Sequence, residues 1–109
     1  MNVGIDLMEI KRFRNLPNEK HNSFYMKLFT NDELEYCLKY SDPYPHFAGI
    51  FAAKEAVIKC LEKKVYFKEI EIQRTNTNKP FINICHVKTD HKISISHTQT
   101  IAIAIAIDL

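Results

Sequence analysis

The chain has 109 residues, with 15 Lys plus Arg against 13 Asp plus Glu, and 46% of its residues are hydrophobic. That length suits one domain with a modest core. The near-neutral charge excludes the basic face of a dedicated nucleic-acid binder, and the apolar content excludes a disordered chain.

The longest apolar run, Ile101 to Ile107, is far short of the roughly 20 residues that span a bilayer. Asp6 and Glu9 break any apolar leader, so a cytoplasmic location without membrane or nucleic-acid partners is expected. Cys37, Cys60 and Cys85 stand apart without a CxxC pair, which predicts free thiols and no zinc ribbon. With only Gly4 and Gly49, neither a GxGxxG loop nor a Walker loop can be built. Any phosphate must be met by side-chain cations, a metal or helix-end amides.

In chain order, Val3, Ile5 and Leu7 alternate with Gly4, Asp6 and Met8, a strand period that sends Asp6 to the face opposite the aliphatic residues. A basic stretch follows, with Lys11, Arg12, Arg14, Lys20 and Lys27. Thr30-Asn31-Asp32-Glu33 reads as a capping box that opens a helix from about Asn31 to Tyr40, with Phe29 and Leu34 as its staple. Pro43 and Pro45 mark a turn. A long helix is predicted from near Pro45, its apolar stripe running through Phe47, Ile50, Phe51, Val57, Ile58 and Leu61. Lys54 lies on the line of that stripe, and Glu55 lies on its border, four residues before Lys59. Strands are expected around Ile70–Gln73, Phe81–Ile84 and Ile93–Ser96, with turns at 76–80 and 89–90. The last strand, 101–107, carries isoleucine on one face and alanine on the other, the small face suiting close packing by a helix or a second subunit. The expected class is α+β: an N-terminal strand, helices in the first half, and an antiparallel sheet in the second half packed on the long helix.

Three places carry chemistry. Asp6 is an acid inside an apolar strand, which needs water, a partner or a metal. Glu55 and Lys59 have the spacing of an ion pair on one helix face. His97 follows a Ser94-Ile95-Ser96 strand at the mouth of a turn. There is no HExxH and no nucleophile elbow.

Together these segments resemble one family. Val3-Gly4-Ile5-Asp6, Phe51-Ala52-Ala53-Lys54-Glu55-Ala56-Val57-Ile58-Lys59 and Ser94-Ile95-Ser96-His97-Thr98 are similar to the 4'-phosphopantetheinyl transferases, the first two matching their bipartite signature. The chain length and the Phe29–Leu34 segment resemble the short holo-acyl-carrier-protein synthase branch, and the likeness runs from Val3 to about Ile107, one domain over 1–109.

The resemblance implies Mg2+-dependent transfer of 4'-phosphopantetheine from coenzyme A to a serine of an apo acyl carrier protein, with release of adenosine 3',5'-bisphosphate. It implies Asp6 and Glu55 as metal ligands, and Asp6, Glu55 and Lys59 as the catalytic group. Phe51, Lys54, Lys79, Pro80, Ser96 and His97 are implied to bind the coenzyme, and Arg12, with Arg14, Lys20 and Lys27, to dock an acidic carrier. Serine deprotonation falls to Glu55 or to water on the metal, and both stay open. A homotrimer with sites between subunits is implied, as is a place in fatty-acid or related carrier-dependent synthesis. Met8 stands where larger members carry a further acid, which supports the short branch. The chain also departs from the pattern. Leu61-Glu62-Lys63-Lys64-Val65 replaces a glycine-rich loop, Ile50 stands where a basic residue often precedes the helix Phe, and Asn78 replaces the glycine before Lys79-Pro80. The lost loop motivates one alternative, a non-catalytic carrier-binding or structural descendant of the same fold.

Overall fold

The computed structural model describes residues 1–108. It opens with strand β1 (Asn2–Glu9), followed by helices α1 (Lys11–Arg14), α2 (Asn22–Leu28), α3 (Asn31–Leu38) and α4 (Tyr44–Cys60). A 3-10 turn at Phe67–Glu69 leads into β2 (Ile70–Arg74), β3 (Pro80–Ile84), β4 (Val87–Lys88), β5 (Lys92–His97) and β6 (Ile101–Asp108). The class is α+β as expected, but the later strands do not make one sheet. β2-β3-β4 form one antiparallel sheet, while β6 lies between β1 and β5 in a second.

The basic stretch folds into the two short helices α1 and α2, neither of which has a side-chain cap. Helices this short are marginal alone, so packing must hold them. Phe13 and Tyr25 supply it, buried among Phe29, Phe47 and Phe51 with ring centroids 4.8–6.4 Å apart. The Tyr25 hydroxyl donates toward the Leu16 carbonyl at 2.7 Å and that of Phe13 at 3.2 Å, pinning the chain after α1. The α3 capping box is formed: the Glu33 amide donates to Thr30 Oγ1 at 3.3 Å, and the Thr30 amide to Glu33 Oε1 at 2.9 Å. The helix ends at Leu38, two residues short of the expected Tyr40.

α4 is buried on nearly every side rather than along one stripe, because strands and shorter helices surround it. Its alanines and Gly49 let those neighbours approach closely. The alanine face of β6 meets this helix, with Ala102, Ala104 and Ala106 at most 1% exposed. Of the two partners suited to that face, the helix takes it, and the isoleucine face is left outward. α4 crosses the sheet obliquely: Gly49 lies over Ile95 of β5, and Ala56 over Gly4 of β1.

At Gly4 the contact leaves no room for a side chain. A Cβ there would sit 1.9 Å from the Ala56 carbonyl oxygen, a backbone atom that cannot swing aside. Gly4→Ala should therefore destabilise the fold by about 2–3 kcal/mol, measured by urea unfolding, because β1 and α4 must separate.

Candidate active site

β1 turns Gly4, Asp6 and Met8 toward α4, and Val3, Ile5 and Leu7 away from it. Asp6 reaches the last turns of the helix, where Glu55 and Lys59 stand one turn apart. The Lys59 ammonium donates to Asp6 Oδ1 at 3.2 Å and to the Ile5 carbonyl at 2.9 Å. Its ion-pair partner is thus Asp6 across the interface, not Glu55 on its own helix. Burial pushes the Glu55 carboxyl above its ordinary pKa, the Asp6 charge adds to that push, and Lys59 opposes it. Two carboxylates and an ammonium, 53 residues apart at the extreme, therefore share one small field.

Two half-buried carboxylates are a hard-oxygen donor pair suited to Mg2+, which usually takes one or two protein carboxylates with water and phosphate oxygens. Burial is the main reason the Glu55 carboxyl is pushed up and the Asp6 charge adds to it, and a divalent ion would relieve that added repulsion. Among the described residues no three His, Cys, Asp or Glu side chains form a metal-holding group, and at this point the chain offers the two carboxylates Asp6 and Glu55. The residues fit the ion.

A second cluster forms at the other end of α4. The rings of Tyr40 and His46 stack with centroids 3.6 Å apart, and His97 meets His46 edge-on at 5.7 Å. Burial pulls the His46 pKa down, and neighbouring His97 and Arg74 add to that. Arg74 at the end of β2 lies over the Tyr36 ring, 4.8 Å from its centroid. These groups line a pocket of about 200 Å³ with Gly49, Ile50, Asn78 and Ile95. Asn78 takes a left-handed φ of 65°, so it fills the turn role of the glycine it replaces. Lys79 is exposed at the end of that turn, and Pro80 opens β3. His97 thus belongs with Tyr40, His46 and Arg74, none of which the sequence reading singled out. Their positions in three separate elements and the turn after α3 gave no spacing signal.

Other expected site residues fall elsewhere. Ser96 pairs with Ile103 on the outward face of the sheet, while His97 is in register with the alanine Ala102. Phe51 stacks on Phe67 at 5.1 Å and borders a cavity of about 90 Å³ lined also by Met8, Arg12, Phe13, Leu16, Phe24 and Leu28. Arg12, Lys20 and Lys27 are exposed. Arg14 is not a free docking cation: its guanidinium makes a two-pronged pair with Asp42 at 2.9 and 2.7 Å, which holds the Asp42 carboxyl below its usual range.

Lys54 requires a larger correction. Its side chain is fully buried and pairs with Glu33 at 2.6 Å, and its ammonium also donates to the carbonyls of Leu28 at 2.9 Å and Phe67 at 3.0 Å. All three of its protons are used inside the protein, which leaves none for a substrate phosphate.

Comparison with known proteins points to one family. The family model for the 4'-phosphopantetheinyl transferase superfamily matches residues 2–106. The holo-[acyl-carrier-protein] synthase of Leptospira biflexa is 36% identical over 98% of this chain and 94% of its own length. That of Caldicellulosiruptor saccharolyticus is 39% identical over 97% and 94%. Among solved structures, Helicobacter pylori holo-[acyl-carrier-protein] synthase in complex with coenzyme A superposes with a TM-score of 0.82 at 28% identity, covering 96% of this chain and 97% of that one. The Bacillus anthracis synthase in complex with CoA (3',5'-ADP) gives 0.80 at 27% identity, covering 96% and 92%. With the Asp6–Glu55–Lys59 cluster in place and the match running along almost the whole chain, the protein belongs to the 4'-phosphopantetheinyl transferase superfamily.

Proposed function

We propose that this chain is a holo-acyl-carrier-protein synthase: it transfers 4'-phosphopantetheine from coenzyme A to a serine of an apo acyl carrier protein. A bond forms between the serine oxygen and the phosphorus bearing the pantetheine arm, and the serine hydroxyl gives up its proton to Glu55 or to water. The bond from that phosphorus to the nucleotide half breaks, and adenosine 3',5'-bisphosphate leaves. The observation that carries this reading is the meeting of Asp6, Glu55 and Lys59 between β1 and α4. Asp6 and Glu55 would hold Mg2+, which would supply charge neutralisation at the diphosphate. Lys59, freed from Asp6, meets a diphosphate oxygen. The reaction needs little beyond positioning and charge neutralisation, which these groups supply.

The two clusters lie at different ends of α4, so one chain offers two half-sites. We read the complete site as formed between copies, the Asp6 cluster of one facing the His97 cluster of the next, in a homotrimer. The open sheet face supports a contact between copies: Val3, Ile5 and Leu7 are 61%, 53% and 55% exposed, and Ile5 and Leu7 pair with the outward Ile105 and Ile103. A contiguous aliphatic patch of this kind favours association. Leu7→Glu should turn a three-chain particle, measured by light scattering, into monomers and remove most of the turnover.

Carrier docking falls to the region of Arg12, Lys20 and Lys27. Arg12 rims the apolar cavity lined by Phe13, Leu16 and Phe24, which offers an acidic helix both a charge and an apolar seat. Arg12→Glu should raise the carrier KM by roughly tenfold or more with little change in kcat, since rim charges govern encounter. Such an enzyme works in the cytoplasm, ahead of fatty-acid or related carrier-dependent synthesis.

The direct test incubates the protein with apo carrier, coenzyme A and Mg2+ and weighs the carrier by mass spectrometry. A phosphopantetheine mass gain is expected. No gain with any carrier of the source organism would favour a non-catalytic carrier-binding descendant.

A further inference from the structure

Arg12 and Arg14 stand two residues apart on α1, so the helix sends them to opposite sides of the buried Phe13. Arg12 rims the apolar cavity with Phe13, Leu16 and Phe24. Arg14 borders a separate cleft, with Asp42, Pro45 and His97. Among the described residues Arg12, Lys20 and Lys27 have no acid within ion-pair distance, whereas the Arg14 guanidinium grips both oxygens of Asp42 at 2.9 and 2.7 Å. Asp42 is a stiff anchor. Pro43 and Pro45 fix the backbone just beyond it, and its Oδ1 also accepts the Tyr44 amide at 3.4 Å. The same segment holds the chain after α1, where the Asn18 amide donates to the Tyr44 hydroxyl at 3.4 Å.

α1 needs such an anchor. It has four residues, no side-chain cap, and Phe13 as its one buried residue. A helix that short is marginal alone, and a single ring fixes its depth better than its roll. A two-pronged guanidinium–carboxylate pair is directional, so it sets the roll and with it the heading of Arg12. The pair is half-exposed, with side chains 42% and 50% accessible, so it adds little to the stability of the whole fold. Resting on the carrier-docking reading above, we infer that the Arg14–Asp42 pair is a positioning device for the acidic carrier: it holds α1 so that Arg12 faces the incoming protein, and Arg14 itself does not touch that partner. Without the pair, α1 spends part of its time turned away, and the apparent affinity for the carrier falls with the docking-competent fraction.

The test is steady-state kinetics of the full chain with apo acyl carrier protein and coenzyme A, on Asp42→Asn, Arg14→Ala, Arg12→Ala and the double arginine variant. Asp42→Asn keeps an acceptor for the Tyr44 amide and removes only the charge, so the fold persists. Asp42→Asn and Arg14→Ala should each raise the carrier KM by about three- to tenfold, while kcat and the coenzyme A KM stay within about twofold. Added to Arg12→Ala, Arg14→Ala should change the carrier KM by less than about twofold, because it acts through Arg12. Were Arg14 a docking cation itself, Asp42→Asn would free it and lower the carrier KM. That result would overturn the inference, as would an unchanged KM in Asp42→Asn or full additivity of the two arginine changes. A carrier KM unmoved by Arg12→Ala would overturn the docking reading, and absence of turnover the transferase reading, each taking this inference with it.

Discussion

Asp6→Ala and Glu55→Gln should each cut turnover by about two orders of magnitude or more while the fold persists. The reason for the loss is charge. On the function proposed above, a diphosphate under attack gathers negative charge that a metal and an ammonium would offset, and either substitution would remove one of the two carboxylates proposed to hold that metal. The reason for persistence is that the Asp6–Lys59 pair is partly exposed, with side chains 17% and 52% accessible, and such pairs contribute about 1 kcal/mol at most. Losing Asp6 also relieves its repulsion of Glu55. The pH dependence has a definite sign. The Glu55 pKa is raised in the folded chain, so its contribution is fully present below the ordinary value of 4.5 and is lost as pH rises through the folded value. Metal-free protein should lose melting temperature over that window. Asp6→Ala should flatten the loss, since the second-largest cause of the shift is gone. Mg2+ should raise the melting temperature of the unaltered protein and not that of Asp6→Ala. A variant that retains near-normal rate would remove its residue from the metal site.

Much of this site was legible because its parts are short and local. The run from Phe51 to Lys59 places Glu55 and Lys59 one turn apart by helical spacing alone, and the alternation from Val3 to Met8 fixes the face of Asp6. The capping box could be read from Thr30 and Glu33 because its bonds span three residues. What lay outside the sequence depends on long-range packing. α1 and α2 carry no period of their own and exist because Phe13 and Tyr25 are buried by other elements. The division of the later strands between two sheets turns on whether β5 pairs with β3 or β6, and their alternation suits either partner. Alternation alone did not say which face of β1 is inside; the aliphatic face is the outside, because Gly4 and three alanines of β6 let α4 lie closer than isoleucine would permit.

Lys54 shows the same limit, and it carries the second large effect. Helical spacing put it on the line of the apolar stripe, and only the fold reveals that Glu33 waits there to receive it. Glu33 thereby joins three elements: it caps α3 through Thr30, pairs with α4 through Lys54, and accepts the Ile72 amide of β2 at 2.8 Å. Burial pushes the Glu33 carboxyl up and the Lys54 ammonium down, and their mutual attraction opposes both shifts. Breaking such a pair costs about 3–5 kcal/mol, since one charge is left buried alone. Lys54→Met should lose that much by urea unfolding near neutral pH. The lone Glu33 then folds with a proton that the unfolded chain sheds above its ordinary value of 4.5, so this variant should regain stability on acidification. Glu33→Gln should behave oppositely. It leaves Lys54, whose folded pKa is depressed, to release a proton on folding, so stability should rise with pH. Unfolding curves at acid, neutral and alkaline pH separate a charge effect from a cavity: two slopes of opposite sign mark the buried pair, and two flat profiles would mean that Glu33 and Lys54 hold the fold through shape alone.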